Sequence, residues 1–376
     1  MFPTLSSLIE YFTGMRVALP VQTYGLFVAL AFWLSYMAFK SEFFRKEKLG
    51  LIHPFKRKTP SPLVRISSRI GGILLSFFTG YKIYYCVRNY ELFVLNPQQF
   101  VFSFKGDVVG GFIGVAILLI IWWWMKWQSK DDEDIIHPYQ HTDRMLLWCA
   151  CCGFVGAILF AKLEYIDVLF KDPVAFFTTN HGMAFLGGFI FGAGIYFIRT
   201  TRMKIPFLVA ADIGSPGMLL APAVGRMGCH LSGDGDWGQV NYNQLPSLLS
   251  WLPDWSWAYK YPHNSIHAGI YIEGCSGSYC TELKHPVYPT SLYESLICLL
   301  MFASLWAFRH RIKTNGMMFF IFLLCLGTER FLMEFIRLNK QYCVADICLT
   351  QAQYISLVFM VIGGLGIVSR ARMAKA

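Results

Sequence analysis

The residues best equipped for chemistry gather at 225–238, where the chain reads GRMGCHLSGDGDWG. Its glycines, Gly228 and Gly233 among them, let backbone approach a ligand closely and turn successive N–H groups toward an anion. Arg226 carries a planar fork suited to a phosphate, although an arginine reaching from a span to lipid headgroups is the competing account. Asp234 and Asp236 have the spacing that opens a calcium loop, but the later ligands are missing, so no metal is expected here.

A second cluster stands in GTERFLMEFIRL, where Arg330, Glu334 and Arg337 fall at i, i+4 and i+7, on one face of a helix. Charges at the edge of a membrane span are costly unless they line a cavity or find partners; a structural Arg330–Glu334 pair is the alternative. Asp212 is a third intramembrane charge, open to pairing with one of these arginines. Lys82 and Lys162 lie near the outer ends of their spans, and Tyr24 and the Tyr293-Glu294 pair open two others, where an interfacial belt also accounts for the tyrosines. Arginines, glycine backbone, carboxylates and histidines among apolar helices suit an anionic phospholipid headgroup with its acyl chains between helices.

The elements holding these residues are membrane spans. The chain has 376 residues, of which 55% are hydrophobic, 17% aromatic and only 15% charged. Apolar runs at 21–39, 70–87, 107–125, 145–161, 182–198, 207–224, 292–308, 317–336 and 352–368 predict about nine transmembrane helices in an all-α polytopic membrane protein. The first run lacks a small-residue cleavage pattern and reads as an anchor. A net charge of +10 raises nucleic acid as a partner, but most of the lysines and arginines sit in the alternating segments 40–69, 126–144, 199–204, 309–313 and 370–375. The positive-inside rule makes those segments cytoplasmic, the N-terminus outer and the C-terminus inner, with 225–238 at the outer face; no nucleic acid partner is needed.

The chain reads as one transmembrane domain over 1–376. Within it, 70–127 repeats 145–198 as an extra two-helix module, matching Lys82 to Lys162, Tyr85 to Tyr165 and Gly110-Gly111 to Gly187-Gly188. The loop 239–288, rich in Trp, Tyr, Pro and Ser, is expected to form a small outer-face cap. Outer-loop cysteines Cys275 with Cys280, and Cys343 with Cys348, either close small disulfide rings or remain free thiols. No spacing of a structural zinc site occurs.

Read in order, these segments resemble the bacterial prolipoprotein diacylglyceryl transferases. GRMGCHLSGDGDWG is similar to that family's GR-x-G-N-F-x-N-G-E…G signature, one residue longer. The YG of QTYGLFVALAF, the K-L-x-Y of GAILFAKLEY, GMAFLGGF, the spacing from Asp212 to Arg226, YPTSLYES and ERFLMEFIR follow in family order. The resemblance implies transfer of the diacylglyceryl group of phosphatidylglycerol to the lipobox cysteine of preprolipoprotein signal peptides, releasing glycerol phosphate without a cofactor, at the periplasmic face of the bacterial inner membrane. It gives Arg226 and Arg330 the phosphate, Glu334 the orientation of Arg330, and Tyr24, Lys162, Asp212, Gly228, Ser232, Gly233, Asp234, Tyr293, Glu294 and Arg337 the lining of the substrate site.

The sequence departs from the family at the candidate base. Leu186 stands where a histidine is common, which leaves His181 and His230 as candidates; Cys229 and Leu326 are further departures. A cysteine thiol is already partly ionised at neutral pH, so an electropositive pocket is an alternative to a base. Two other readings of the chain are a family member that binds phospholipid or lipoprotein precursor without this chemistry, and a small-molecule transporter, which would need a water-filled path and broken helices at the midplane.

Overall fold

The apolar runs become helices in the computed structural model, which describes residues 1–15, 17–56, 62–90, 93, 103, 105–128, 135–163, 170, 172–173, 176, 185–247, 250–339, 341–344 and 347–374. The helices are α1 (Leu5–Thr13), α2 (Thr23–Lys48), α3 (Pro62–Arg88), α4 (Val108–Gln128), α5 (Thr142–Leu163), α6 (Phe185–Arg202), α7 (Phe207–Ser232), α8 (Thr290–Phe308), α9 (Met317–Met333) and α10 (Gln351–Met373). Among the described residues, six helical stretches are long and apolar enough to cross a membrane: Thr23–Lys48, Ile66–Arg88, Pro138–Leu163, Phe207–Ser232, Thr290–Phe308 and Gln351–Met373. The chain is a mostly helical polytopic membrane protein. Three more of the expected runs are helical but shorter or more charged: Val108–Trp124, α6 with Arg199 and Arg202 in its last turn, and the 17-residue α9.

Two compact units divide the chain. One holds residues 2–23 and 56–136. In it Thr4 caps α1 by accepting from the Ser7 N–H at 3.3 Å, and α3 packs on α4 at glycines. A Cβ on Gly110 would come within 2.5 Å of the Gly80 carbonyl and 2.2 Å of Tyr84 Cβ, so only hydrogen there permits the approach. The other unit holds residue 1, 24–55 and 137–376. There α5 packs on α6 by the same device, a Cβ on Gly187 lying 2.3 Å from the Gly156 carbonyl and 2.5 Å from Phe160 Cβ.

Helix α7 organises this second unit. It packs along α8 and against α9, and its run of Ala210, Ala211, Gly214, Ser215 and Gly217 is buried, small side chains letting neighbours close in. At Gly217 a Cβ would fall 2.2 Å from the Phe39 ring of α2. The buried Tyr196 of α6 donates to the Ala210 carbonyl at 2.6 Å, and Ser35 of α2 to that of Gly217 at 3.1 Å.

The expectation that Asp212 joins the arginines is corrected by its position. Asp212 lies 14 residues before Arg226 on one helix, about 21 Å along its axis. Its fully buried carboxylate instead pairs with Lys46 of α2 at 3.0 Å and accepts the Gly316 and Phe319 N–H groups at 2.8 and 3.0 Å, capping the start of α9. On the same helix as Lys46, Glu42 takes a forked contact from Arg45, with Nη2 at 2.6 Å, and a single bond from Arg309 Nη1 at 3.1 Å. The end of α2, the start of α7, the end of α8 and the start of α9 therefore share one charged layer.

Candidate active site

At the other end of the same helices the opposite termini meet: the end of α7, the start of α8 and the end of α9. Glu294, near the start of α8 and only 3% exposed, is the hub. Its Oε2 receives Arg226 Nε at 2.7 Å, and its Oε1 receives Arg330 Nη1 at 2.9 Å and Arg337 Nη1 at 2.7 Å. Asp236 adds a second bridge, accepting from Arg226 and, at 2.7 Å, from Arg337 Nη2. Arg330 Nη2 stands 3.4 Å from Glu334 Oε2, so the sequence-expected pair forms, loosely. The helical spacing does not carry on to Arg337. Helix α9 stops at Met333, Glu334–Ile336 makes a 3₁₀ turn, and Arg337 is extended, yet it still reaches Glu294.

The end of α7 lies close against α2 because Gly228 has no side chain: a Cβ there would meet Phe27 Cβ at 2.5 Å. Tyr24, at the start of α2, is 39% exposed, and its backbone carbonyl lies 3.6 Å from that same point. Past α7 the chain turns at Gly233, whose φ of 64° favours glycine and where a Cβ would press on Asn264 at 3.0 Å. Ser232, buried, donates back to the Cys229 carbonyl at 3.3 Å. Burial pushes the Asp234 carboxyl above its ordinary value, outweighing the Cys229 hydrogen bond and the Arg226 charge. Cys229, Asp234 and Asp236 bring one ligand atom each within 4.8 Å of one another, a set able to hold a metal ion, although two arginines already engage Asp236.

The loop 239–288 is fastened to this turn. Asn264, fully buried, donates to the Tyr261, Ala268 and Thr281 carbonyls and accepts from Ala268 N–H at 2.7 Å. The Ser265 N–H bonds the Ser232 and Gly233 carbonyls at 3.0 and 3.1 Å. Short strands β1 (Ile270–Tyr271) and β2 (Thr281–Glu282) pair antiparallel, and the Cys275–Cys280 disulfide closes the turn between them. A second hairpin, β3 (Gln341–Val344) with β4 (Ile347–Thr350), precedes α10 and carries the Cys343–Cys348 disulfide across one pair of partners. Both rings left open by the sequence are thus formed.

Several other expected site residues have partners of their own within the protein. His230 sits in an aromatic nest, its Nδ1 3.2 Å from the Tyr261 hydroxyl and its ring stacked on Trp255; among the described residues these loop aromatics are its partners. Tyr293 donates to the Ser256 carbonyl at 2.7 Å, and Lys162 donates to the Phe176 carbonyl at 2.8 Å while lying over the Phe176 ring. His181 lies outside the described residues. Sequence reasoning missed the part of Asp236, whose arginine partners are 10 and 101 residues away and leave no local signal.

Chemically, three guanidinium groups held by internal carboxylates form an anion site whose counter-charges can be exchanged for a phosphate. A family model for prolipoprotein diacylglyceryl transferases matches residues 110–369, which span both the α7 turn and the end of α9 but begin after Tyr24. The chain is 29% identical over 232 residues to the phosphatidylglycerol–prolipoprotein diacylglyceryl transferase of Lysinibacillus sphaericus, covering 61% of this chain and 77% of that one. It is 30% identical over 227 residues to that of Streptococcus mutans, covering 58% and 76%, and 26% identical over 274 residues to that of Lactobacillus gasseri, covering 72% and 87%. With more than half of its length matched by that model, the chain belongs to the prolipoprotein diacylglyceryl transferase family.

Proposed function

We propose that this membrane enzyme moves the diacylglyceryl group of phosphatidylglycerol onto the lipobox cysteine of a preprolipoprotein, the first step of lipoprotein maturation. The thiol sulfur bonds the glyceryl carbon, the carbon–oxygen bond to phosphate breaks, and glycerol phosphate departs as an anion while the thiol proton passes to a base or water. The convergence of Arg226, Arg330 and Arg337 on the single buried Glu294, in a chain of this family, carries the reading. Arg226 and Arg330 hold the leaving phosphate, Glu334 orients Arg330, and Glu294 with Arg337 keeps the forks aligned until lipid arrives. Tyr24, Gly228, Ser232, Gly233 and Asp234 shape the wall. The nucleophile belongs to the peptide, so none of the chain's own cysteines is needed.

The finer topology belongs to the same proposal: nine spans in a bacterial inner membrane, N-terminus periplasmic, C-terminus cytoplasmic, the site near the periplasmic face. The alternation of basic segments supports it. We assign 239–288 to a cap that guides the signal peptide, and 70–127 to a duplicate of 145–198. The shared glycine contacts at Gly110 and Gly187 favour duplication, as do Lys82 and Lys162, each donating to carbonyls of the segment that follows its helix.

The test is transfer by purified protein from phosphatidylglycerol with a labelled headgroup to a lipobox peptide. Release of labelled glycerol phosphate by the wild type, falling about 100-fold or more in Arg226→Ala and Arg330→Ala, is expected. In the same assay His181→Ala and His230→Ala separate a histidine base from an aromatic anchor: loss in only one of them names the base. No release by folded wild type across several lipobox peptides would overturn the reading.

A further inference from the structure

Beside the arginines lies a cavity of about 280 Å³, walled by the segment that follows α9, Gln239, the β4 strand and the first turn of α10. It is small beside sites for drug-sized molecules and partly open, with Phe335 and Leu338 exposed at its edge and amide side chains among its lining. Arg337 forms part of its wall while its two terminal nitrogens engage Glu294 and Asp236, so the cavity adjoins the anion site directly.

The uncommitted atoms define a chemistry. Gln239 spends its amide N–H groups on the Phe335 and Arg337 carbonyls, and Asn339 gives one of its two to Glu334, which leaves both side-chain carbonyls as acceptors. Glu334, 3% exposed, is not one of them: its Oε1 accepts from Asn339 and its Oε2 faces Arg330 Nη2 at 3.4 Å. Gln353 is the converse: its Oε1 caps α10 by accepting from Thr350 N–H at 3.0 Å, which leaves its amide N–H groups as donors. A wall offering acceptors and a donor at close quarters suits hydroxyl groups, which both donate and accept. An ammonium only donates, so it could use the two carbonyls but would leave the Gln353 amide hydrogens without an acceptor.

We infer that this cavity holds the glycerol unit of a glycerol-phosphate group whose phosphate lies on the arginines, and so selects the donor lipid by its headgroup. The inference rests on the transferase reading for its substrate, but its ligand chemistry can be tested without turnover. The glycerol phosphate can come from the lipid headgroup or from the free product, and the two arms of the experiment separate these.

In the first arm, binding of sn-glycerol 1-phosphate, phosphoethanolamine and inorganic phosphate to the full-length protein in detergent is compared by protection against heat. The wild type is expected to bind glycerol phosphate roughly tenfold or more tightly than the other two. Gln353→Glu keeps the cap acceptor but removes the donor, and Leu349→Trp fills the cavity. Either variant should erase the preference; the uncharged Leu349→Trp should leave inorganic phosphate binding as it was, whereas Gln353→Glu adds a charge that weakens all three anions together. In the second arm the same variants are assayed for transfer from phosphatidylglycerol, with a raised KM expected. Lost preference in the first arm with unchanged KM restricts the cavity to product. Equal binding of the three ligands by wild type, or a preference that survives in both variants, overturns the inference. A wild type that prefers glycerol phosphate yet transfers nothing overturns the transferase reading alone.

Discussion

At the scale of single residues, Glu294 decides the electrostatics of the site because three guanidinium groups share its two oxygens. Glu294→Gln keeps the shape and removes the charge, leaving partly buried arginines in mutual repulsion. Turnover should fall at least about 100-fold and the protein should lose roughly 3 kcal/mol of stability, read by calorimetric melting. Asp234 gives a pH signature. Its carboxyl is raised by burial above the ordinary 3.8, so the folded chain holds that proton more tightly than the unfolded one. The stability this contributes is complete at low pH and is lost as pH rises from 3.8 through the raised native value. Asp234→Asn should therefore melt at a higher temperature than wild type at neutral pH, with the gap closing below about pH 4. An equal gap at both pH values would refute the assignment.

At the scale of elements, α5 and α6 touch through Gly156 and Gly187, so Gly187→Leu forces them apart and is expected to cost about 1–3 kcal/mol by overpacking. The melting temperature of the purified protein checks this. The helices themselves were legible: each apolar run in the sequence falls on a described helix, because burial in lipid and burial in protein select the same residues. The arginines were legible too, since a charge at a span's edge is conspicuous. The partnerships were not. Asp212 looked available to one of the arginines because it is an intramembrane charge, whereas counting along its helix places it at the end opposite Arg226. His230 looked like a base because histidine titrates near neutrality, and only the fold reveals the Tyr261 and Trp255 rings around it. Asp236 belongs to arginines delivered by two other elements, which no local pattern encodes.

At the scale of the whole chain, the two charged layers differ in how they meet water. At one end Lys46 and Asp212 are 2% and 0% exposed; at the other Arg226, Arg330 and Asp236 are 24%, 29% and 30% exposed. Lys46→Met strands a buried carboxylate and should cost about 3–5 kcal/mol of stability, measured by melting, while turnover per folded molecule is preserved. Ion pairs shut away from water resist exchange, and wet ones swap partners readily. The helix group is therefore bound like a book, its spine where Lys46 grips Asp212 and its loose page edges where the arginines stand. A lipid entering sideways would part the edges while the spine stays stitched. Cross-linking α2 to α9 at the spine should leave turnover intact, and linking α7 to α8 at the page edges should stop it.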